Sequence, residues 1–270
     1  MSEALKIIRA QQRAWARQRN IPFDSDDYTF ILEDNLFTPL SPATISEFAS
    51  GGGDELGNTD HRGKIQALHS SSALVCNVFE YWRSRDVSAI ASACGALKGM
   101  SKLRFEQTHP TGLRGTPPHL DIEFYSEAQS PLAIESKFTE PYQSTSKSGF
   151  RESYFSQPGL WDGLPICSIL ARKIYEGKKT FVRFDAAQIL KHILGLTKAF
   201  PEGFTFLYLW YEIPSLEARE HGHEIESFKE NTAGEVDFRD MTYQQLFLSI
   251  KGMPEAEETY VSYLKGRYFS

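Results

Sequence analysis

Cysteine is scarce in this chain, and the three present, Cys76, Cys94 and Cys167, stand far apart with no CxxC spacing. That excludes a disulfide framework and a structural zinc site built on paired cysteines, and it points to a reducing compartment. Long apolar runs are missing too, since no stretch approaches the roughly eighteen apolar residues that a bilayer span requires. The opening residues lack the apolar core of a signal peptide, so the expectation is a cytoplasmic protein with no membrane partner. Positive charge is also in deficit, the formal net charge being −6. This argues against a surface coated for nucleic acid and leaves room only for a local basic groove.

What is present suffices for a substantial core: 270 residues, 41% of them hydrophobic, a length that reads as one domain over 1–270. The most informative stretch is 119–138, HLDIEFYSEAQSPLAIESKF. Successive side chains on a strand point to opposite faces. Leu120, Ile122 and Phe124 therefore face a core, and Asp121, Glu123 and Tyr125 take the other side. In the second run Leu132, Ile134 and Phe138 form the apolar set, while Ala133, Glu135 and Lys137 alternate with them. The intervening 126–131, SEAQSP, has turn composition and predicts a hairpin. Where the two polar faces coincide, two carboxylates and an ammonium meet on one sheet surface. Hard divalent cations such as magnesium take carboxylate and carbonyl oxygens, often only one or two from the protein. Asp121 and Glu135 suit that role, with Lys137 placed to stabilise charge on a phosphate.

A bare Glu-x-Lys means little, because about one such triplet arises by chance in a chain of this charge content. A second one, Glu176-Gly177-Lys178, lacks apolar alternation and a preceding Asp-bearing strand, and reads as a solvated loop. For the first, the alternative reading is an exposed charged face of an edge hairpin in which Lys137 simply pairs with Glu135.

The order Asp121, variable gap, Glu135, any residue, Lys137 resembles the restriction-endonuclease-like superfamily with its PD-(D/E)xK pattern. Here Pro118 stands three residues before the Asp rather than directly before it. GTPPHLDIEF, AIESKFTEPY, AAQILKHILGL and DMTYQQLF are further similar to a bacterial family of restriction endonucleases, over about 50–270. The resemblance implies an α/β fold with a central mixed sheet flanked by helices, and magnesium-dependent hydrolysis of DNA, with manganese as a substitute ion. It implies that Asp121 and Glu135 are metal ligands, that the Ser136 carbonyl is an extra ligand and that Lys137 is the catalytic lysine. It also implies a helix-borne acid at the metal site, for which Glu55, Glu80 and Glu106 are the candidates, all three being ordinary surface acids on the blander reading. The expected function is a restriction or phage-defence endonuclease, with a homodimer suited to cutting both strands. The alternative is a catalytically silent scaffold serving as a nucleic-acid-binding or assembly module.

Other segments are weighed in the same way. In 1–20, Lys6, Arg9, Arg13 and Arg17 recur at near-helical spacing with Arg19 behind them, giving a basic helix whose face reads as solvated or as an oligomer contact before it reads as a DNA contact. Residues 50–63, SGGGDELGNTDHRG, read as a flexible glycine-rich connector, not a P-loop, from which Asp54 or Glu55 swings toward the site. An amphipathic helix is expected over 64–83 and a strand over 102–108. Residues 139–163 mix Tyr142, Tyr154, Phe155 and Trp161 with Lys147 and Arg151, either a substrate loop or an aromatic-anchored surface loop. TFVRF reads as a strand, and Asp185 with Gln188 as a capping box opening the next helix. On that helix Gln188, Lys191, His192 and Gly195 form a polar stripe, from which Gln188 and Lys191 are candidates to line the site. FTFLYLWYEI predicts a buried central strand, Thr242 with Gln245 a capping box, and His221 and His223 surface histidines.

Overall fold

The structure is a computed structural model that describes residues 1–51, 53–58, 60–115, 117–143 and 149–269. The helices are α1 (Glu3–Gln18), α2 (Pro42–Ser50), α3 (Ser71–Arg83) and α4 (Val87–Ala93), then, beyond a run of three strands, α5 (Ser153–Ser156), α6 (Pro165–Tyr175) and α7 (Ala186–Ala199). α8 (Leu216–Thr232), α9 (Tyr243–Lys251) and α10 (Glu258–Tyr268) complete the set. The strands are β1 (Lys102–Thr108), β2 (His119–Ser126), β3 (Gln129–Lys137), β4 (Thr205–Trp210) and β5 (Asp237–Thr242). They form one sheet in the order β1-β2-β3-β4-β5, antiparallel through β3 and parallel from β3 to β5. This is the expected α/β mixed sheet flanked by helices.

Alternation assigns the faces. Phe105, Ile122, Ile134 and Leu207 are buried on one side, where Phe48 of α2 stacks on Phe105, Phe79 of α3 meets Phe124, and Tyr243 of α9 meets Ser136. On the other side Phe206, Tyr208 and Phe238 pack against Phe184, His192 of α7 and His221 and Phe228 of α8. The buried apolar side chains of both layers belong to one cluster running from Ala4 to Tyr268. Among the described residues no helix is long and apolar enough to cross a membrane.

Several local expectations shift. The predicted helix over 64–83 is a 3-10 turn at Lys64–Gln66 followed by α3, because the Ser70 hydroxyl accepts from Ala73 N and caps the helix there. The hairpin turn is tighter than 126–131, with Ser126 already paired to Gln129. TFVRF is not a strand. The N–H groups of Val182, Arg183 and Phe184 all donate to the carboxylate of Glu224 on α8, which satisfies the backbone without a sheet partner. The Asp185 side chain caps α7 at Gln188 N, yet the return bond from Gln188 is not made, whereas Thr242 and Gln245 form both halves of theirs. His221 is buried against Tyr208 and Trp210, so it is no surface histidine. Glu176 and Lys178 pair with each other at an exposed turn, as expected of the second triplet.

The basic face of α1 is only partly engaged. Arg9 and Arg13 both bind the buried Asp27 carboxylate, Lys6 pairs with Glu3, and Arg17 and Arg19 lie over Phe23 and Trp15. Two of its cations are thus neutralised by a buried acid, while Lys6, Arg17 and Arg19 stay exposed. In the glycine-rich connector, Gly57 (φ +67°) and Gly63 approach so closely that a Cβ on Gly57 would sit 2.3 Å from Gly63 N, and Ile65 N donates to Glu55 O. Asp54 is paired with His61 there, away from the sheet.

Candidate functional site

β2 and β3 pair regularly from Phe124 with Leu132 to Ile122 with Ile134, and the ladder stops there. The next residues, Asp121 and Glu135, stand where the strands part. Asp121 fills the gap with its own side chain, Oδ2 accepting from the backbone N–H of Ser136 at 2.7 Å. Beyond it, Lys137 Nζ donates to Glu135 Oε1 at 2.5 Å, and the second carboxylate oxygen of Glu135 lies 3.1 Å from His192 Nε2 of α7 without hydrogen-bond alignment. Asp121, Glu135 and Lys137 thus come together on the sheet face covered by α7. Glu123, on the same face, is taken instead by His109 at 2.9 Å and Arg104 at 3.7 Å.

The electrostatics follow from crowding charge in a buried place. Burial works against ionising Glu135, but the charges of Lys137 and His192 outweigh it and hold the carboxyl at about 2. Asp121 is raised well above the usual carboxylate range by burial and by the neighbouring Glu135. Burial alone would lower Lys137, yet Glu135, Glu140 and Asp121 leave it raised and firmly charged. Glu140 is fixed behind it, accepting from Ser71 Oγ and from the N–H groups of Phe138 and Thr139.

Of the three further acids, Glu106 is drawn into the site. It lies on β1 opposite the end of the β2 ladder with φ +52°, a left-handed conformation uncommon for a non-glycine residue. Burial, then Glu55 and Glu135, push its carboxyl up to about 7. His119 Nδ1 stands 3.7 Å from Glu106 Oε2, and burial and His192 hold that ring below its ordinary value. Glu55 is held at the edge of the cluster by Ser72 Oγ at 2.6 Å, with Lys64 at 3.8 Å.

Glu80 is elsewhere. Its two oxygens accept from Ser41 N and Thr44 Oγ1, so it fastens the first turn of α2 and cannot serve as the helix-borne acid. The Ser136 hydroxyl points to the opposite face and bonds Tyr243 OH at 2.6 Å, leaving only its backbone on the site side.

Gln188 and Lys191 line a neighbouring cleft of 760 Å³ together with Arg114, Pro117, Pro118, Arg151 and Tyr154. The aromatics of the following segment mostly hold one another: Phe150 packs on Tyr154, Phe155 and Trp161, Trp161 Nε1 donates to Tyr154 O, and Tyr142 is buried. Lys147 lies outside the described residues. The residue that local pattern missed is His192. Its place four positions after Gln188 on the polar stripe was visible, but its burial against Glu135 depends on how α7 lies across the sheet.

Among the described residues no group of three His, Cys, Asp or Glu side chains is arranged to hold a metal ion. The donors present are nevertheless all hard oxygens, and the mutual charge of Asp121 and Glu135, which lifts Asp121, is what a divalent cation between them would relieve.

A family model described as "Restriction Endonuclease associating with ARP" matches residues 9–269. No curated protein and no solved structure matches the chain.

Proposed function

The chain belongs to the family of restriction endonucleases associating with ARP, and from that premise we propose that it is a magnesium-dependent endonuclease hydrolysing DNA phosphodiester bonds. The observation that carries this reading is the paired placement of Asp121 and Glu135 at the splayed end of β2 and β3, with the Lys137 ammonium fixed beside them. Asp121, Glu135 and the Ser136 carbonyl would hold the ion, with manganese as a substitute. When bound, the ion supplies polarisation of the scissile phosphate.

The remaining work falls to the side chains. Glu135 is ionised at any working pH. Lys137 keeps its proton and presents a positive charge where negative charge grows on the phosphate oxygens. His192 backs Glu135 from α7, and Glu106, pushed up to about 7, is able to hold or release a proton at the rim near neutral pH. Water replaces one ester oxygen on phosphorus. A role in restriction or phage defence and a partner of the kind the family description calls ARP fit this chemistry.

A second reading, a catalytically silent scaffold used for nucleic-acid binding or assembly, draws on the pairing of Lys137 with Glu135 Oε1, which closes one ligand oxygen, and on the lack of a three-donor group among the described residues. The test is cleavage of linear, circular, single-stranded and methylated DNA with magnesium or manganese, comparing wild type with Asp121→Ala and Lys137→Ala. Metal-dependent cutting lost in both variants supports the nuclease. Cutting that persists equally in both overturns the site, and DNA binding with no cutting on any substrate favours the scaffold.

A further inference from the structure

The cleft beside the site has a composition unlike the rest of the surface. Arg114 comes from the loop before β2, Arg151 from the segment before α5, and Lys191 from α7, and the three line one cleft of 760 Å³ with Thr111, Ser153 and Tyr154. Among the described residues Arg114 and Arg151 make no ion pair, and Lys191 is bound only to a backbone carbonyl, Gly149 O at 2.7 Å, while it lies over the rings of Phe150 and Tyr154. The single carboxylate in the lining, Asp185, is engaged in capping α7.

Several surface arginines elsewhere are paired with acids: Arg62 with Asp24, Arg85 with Glu257, Arg183 with Glu220 and Arg239 with Asp237. With Arg9 and Arg13 of α1 bound to the buried Asp27 and a net charge of −6, the cleft offers a polyanion three cations gathered in one concave place.

The cleft is connected to the candidate site through the chain itself. Pro117 and Pro118 form part of its wall and lead directly into His119 and Asp121 on β2, and Gln188 lies one turn before His192 on α7. Its volume falls within the range of about 300–1,000 Å³ typical of pockets that enclose a small ligand. That admits a short stretch of one strand. A duplex would need cations spread over a broad face.

Resting on the nuclease reading of the adjacent site, we propose that Arg114, Arg151 and Lys191 form a phosphate-binding track for a single DNA strand, so that the preferred substrate is single-stranded DNA or a strand end and not an intact duplex. A positively charged groove with an aromatic ring beside it is the usual means of holding a single strand without reading its bases. Tyr154 supplies the ring.

The test is fluorescence anisotropy of a short oligothymidine and of a blunt duplex of equal length, in EDTA so that no turnover intervenes. Wild type is compared with Arg114→Ala, Arg151→Ala and, as a control outside the cleft, Lys173→Ala. The oligothymidine should bind at least about 10-fold more tightly than the duplex, with log K falling against log salt at a slope near −2, the value for about three single-strand phosphate contacts. Each cleft variant should reduce that slope by about 0.7 while melting like wild type, and Lys173→Ala should change neither. Duplex binding as tight as single-strand binding, or slopes indifferent to both arginines, overturns the track. The two readings fail separately: oligothymidine bound through the arginines with no metal-dependent cutting removes the nuclease assignment alone, whereas duplex cutting undiminished in the arginine variants removes the track alone.

Discussion

The side chain of Asp121 takes the place of a backbone acceptor, receiving the Ser136 N–H at 2.7 Å at the point where β2 and β3 separate. A carboxyl bonded into the sheet is held in place there, at the splayed end of both strands. The same contact holds a carboxyl in a place that resists its ionisation, since burial and Glu135 raise Asp121 well above its ordinary range.

Asp121→Asn should therefore separate stability from function. The amide oxygen still accepts from Ser136 N, but the cost of holding a carboxyl well above its ordinary range is gone, so the metal-free protein should gain about 1 kcal/mol in denaturant unfolding near neutral pH. Metal-dependent cleavage should fall by at least ~100-fold, the scale on which removal of one preorganised electrostatic group acts. A variant that is both less stable and fully active contradicts the assignment.

Lys137→Met should be destabilising in its own right, by about 3 kcal/mol, because it strands the ionised Glu135 carboxylate in a buried place. Adding Glu135→Gln should recover most of that loss. Urea unfolding of the two single variants and the double variant gives the coupling energy directly, and additive losses would contradict a mutually dependent pair.

Glu106 sets a pH dependence whose sign can be worked out. Its folded value is about 7 against an ordinary 4.5, so the native state binds the extra proton and stability falls as pH rises between those values. His69 and His119, both held below their ordinary value by burial, slope the opposite way, and the informative quantity is the difference from Glu106→Gln. In EDTA, that variant should match wild type near pH 4.5 and exceed it by on the order of 1–3 kcal/mol at pH 8. Parallel stability curves would show that the carboxyl titrates normally.

Glu80→Ala should weaken the protein by about 1–2 kcal/mol through loss of the bonds from Ser41 N and Thr44 Oγ1 that brace the start of α2. Its metal-dependent activity, measured below the melting transition, should stay within about twofold of wild type, since the contact is far from the chemistry. A large loss of metal affinity in this folded variant would return Glu80 to the site.

Much of the site's frame was legible because strand geometry is local. Alternation put Glu135 and Lys137 on one face of their strand and Asp121 on the polar face of its own, the pairing of β2 with β3 joined those faces, and the β1, β2, β3 and β4 segments fell close to where apolar periodicity placed them. Capping signals were equally readable at Asp185 and Thr242, where a short polar side chain sits three residues before its backbone donor. TFVRF shows the limit: its β-like composition was overruled by a distant carboxylate, Glu224, that captured three of its N–H groups.

The sequence by itself determined the sheet's inner strands, their faces and the trio of charged residues at their end, since a period of two acts between near neighbours. Tertiary structure alone decided which other groups meet them. Three acids, Glu55, Glu80 and Glu106, were equivalent on local grounds. The fold sent Glu80 to Ser41 and Thr44 at the start of α2, tied Glu55 to Ser72 and gave Glu106 a positive φ beside the site. It likewise buried Asp27 against Arg9 and Arg13, neutralising part of a basic helix face, and laid His192 against Glu135. Each of these outcomes depends on a partner far away in sequence, and the energy of a charge depends on that partner and on burial, neither of which is written in the residues beside it.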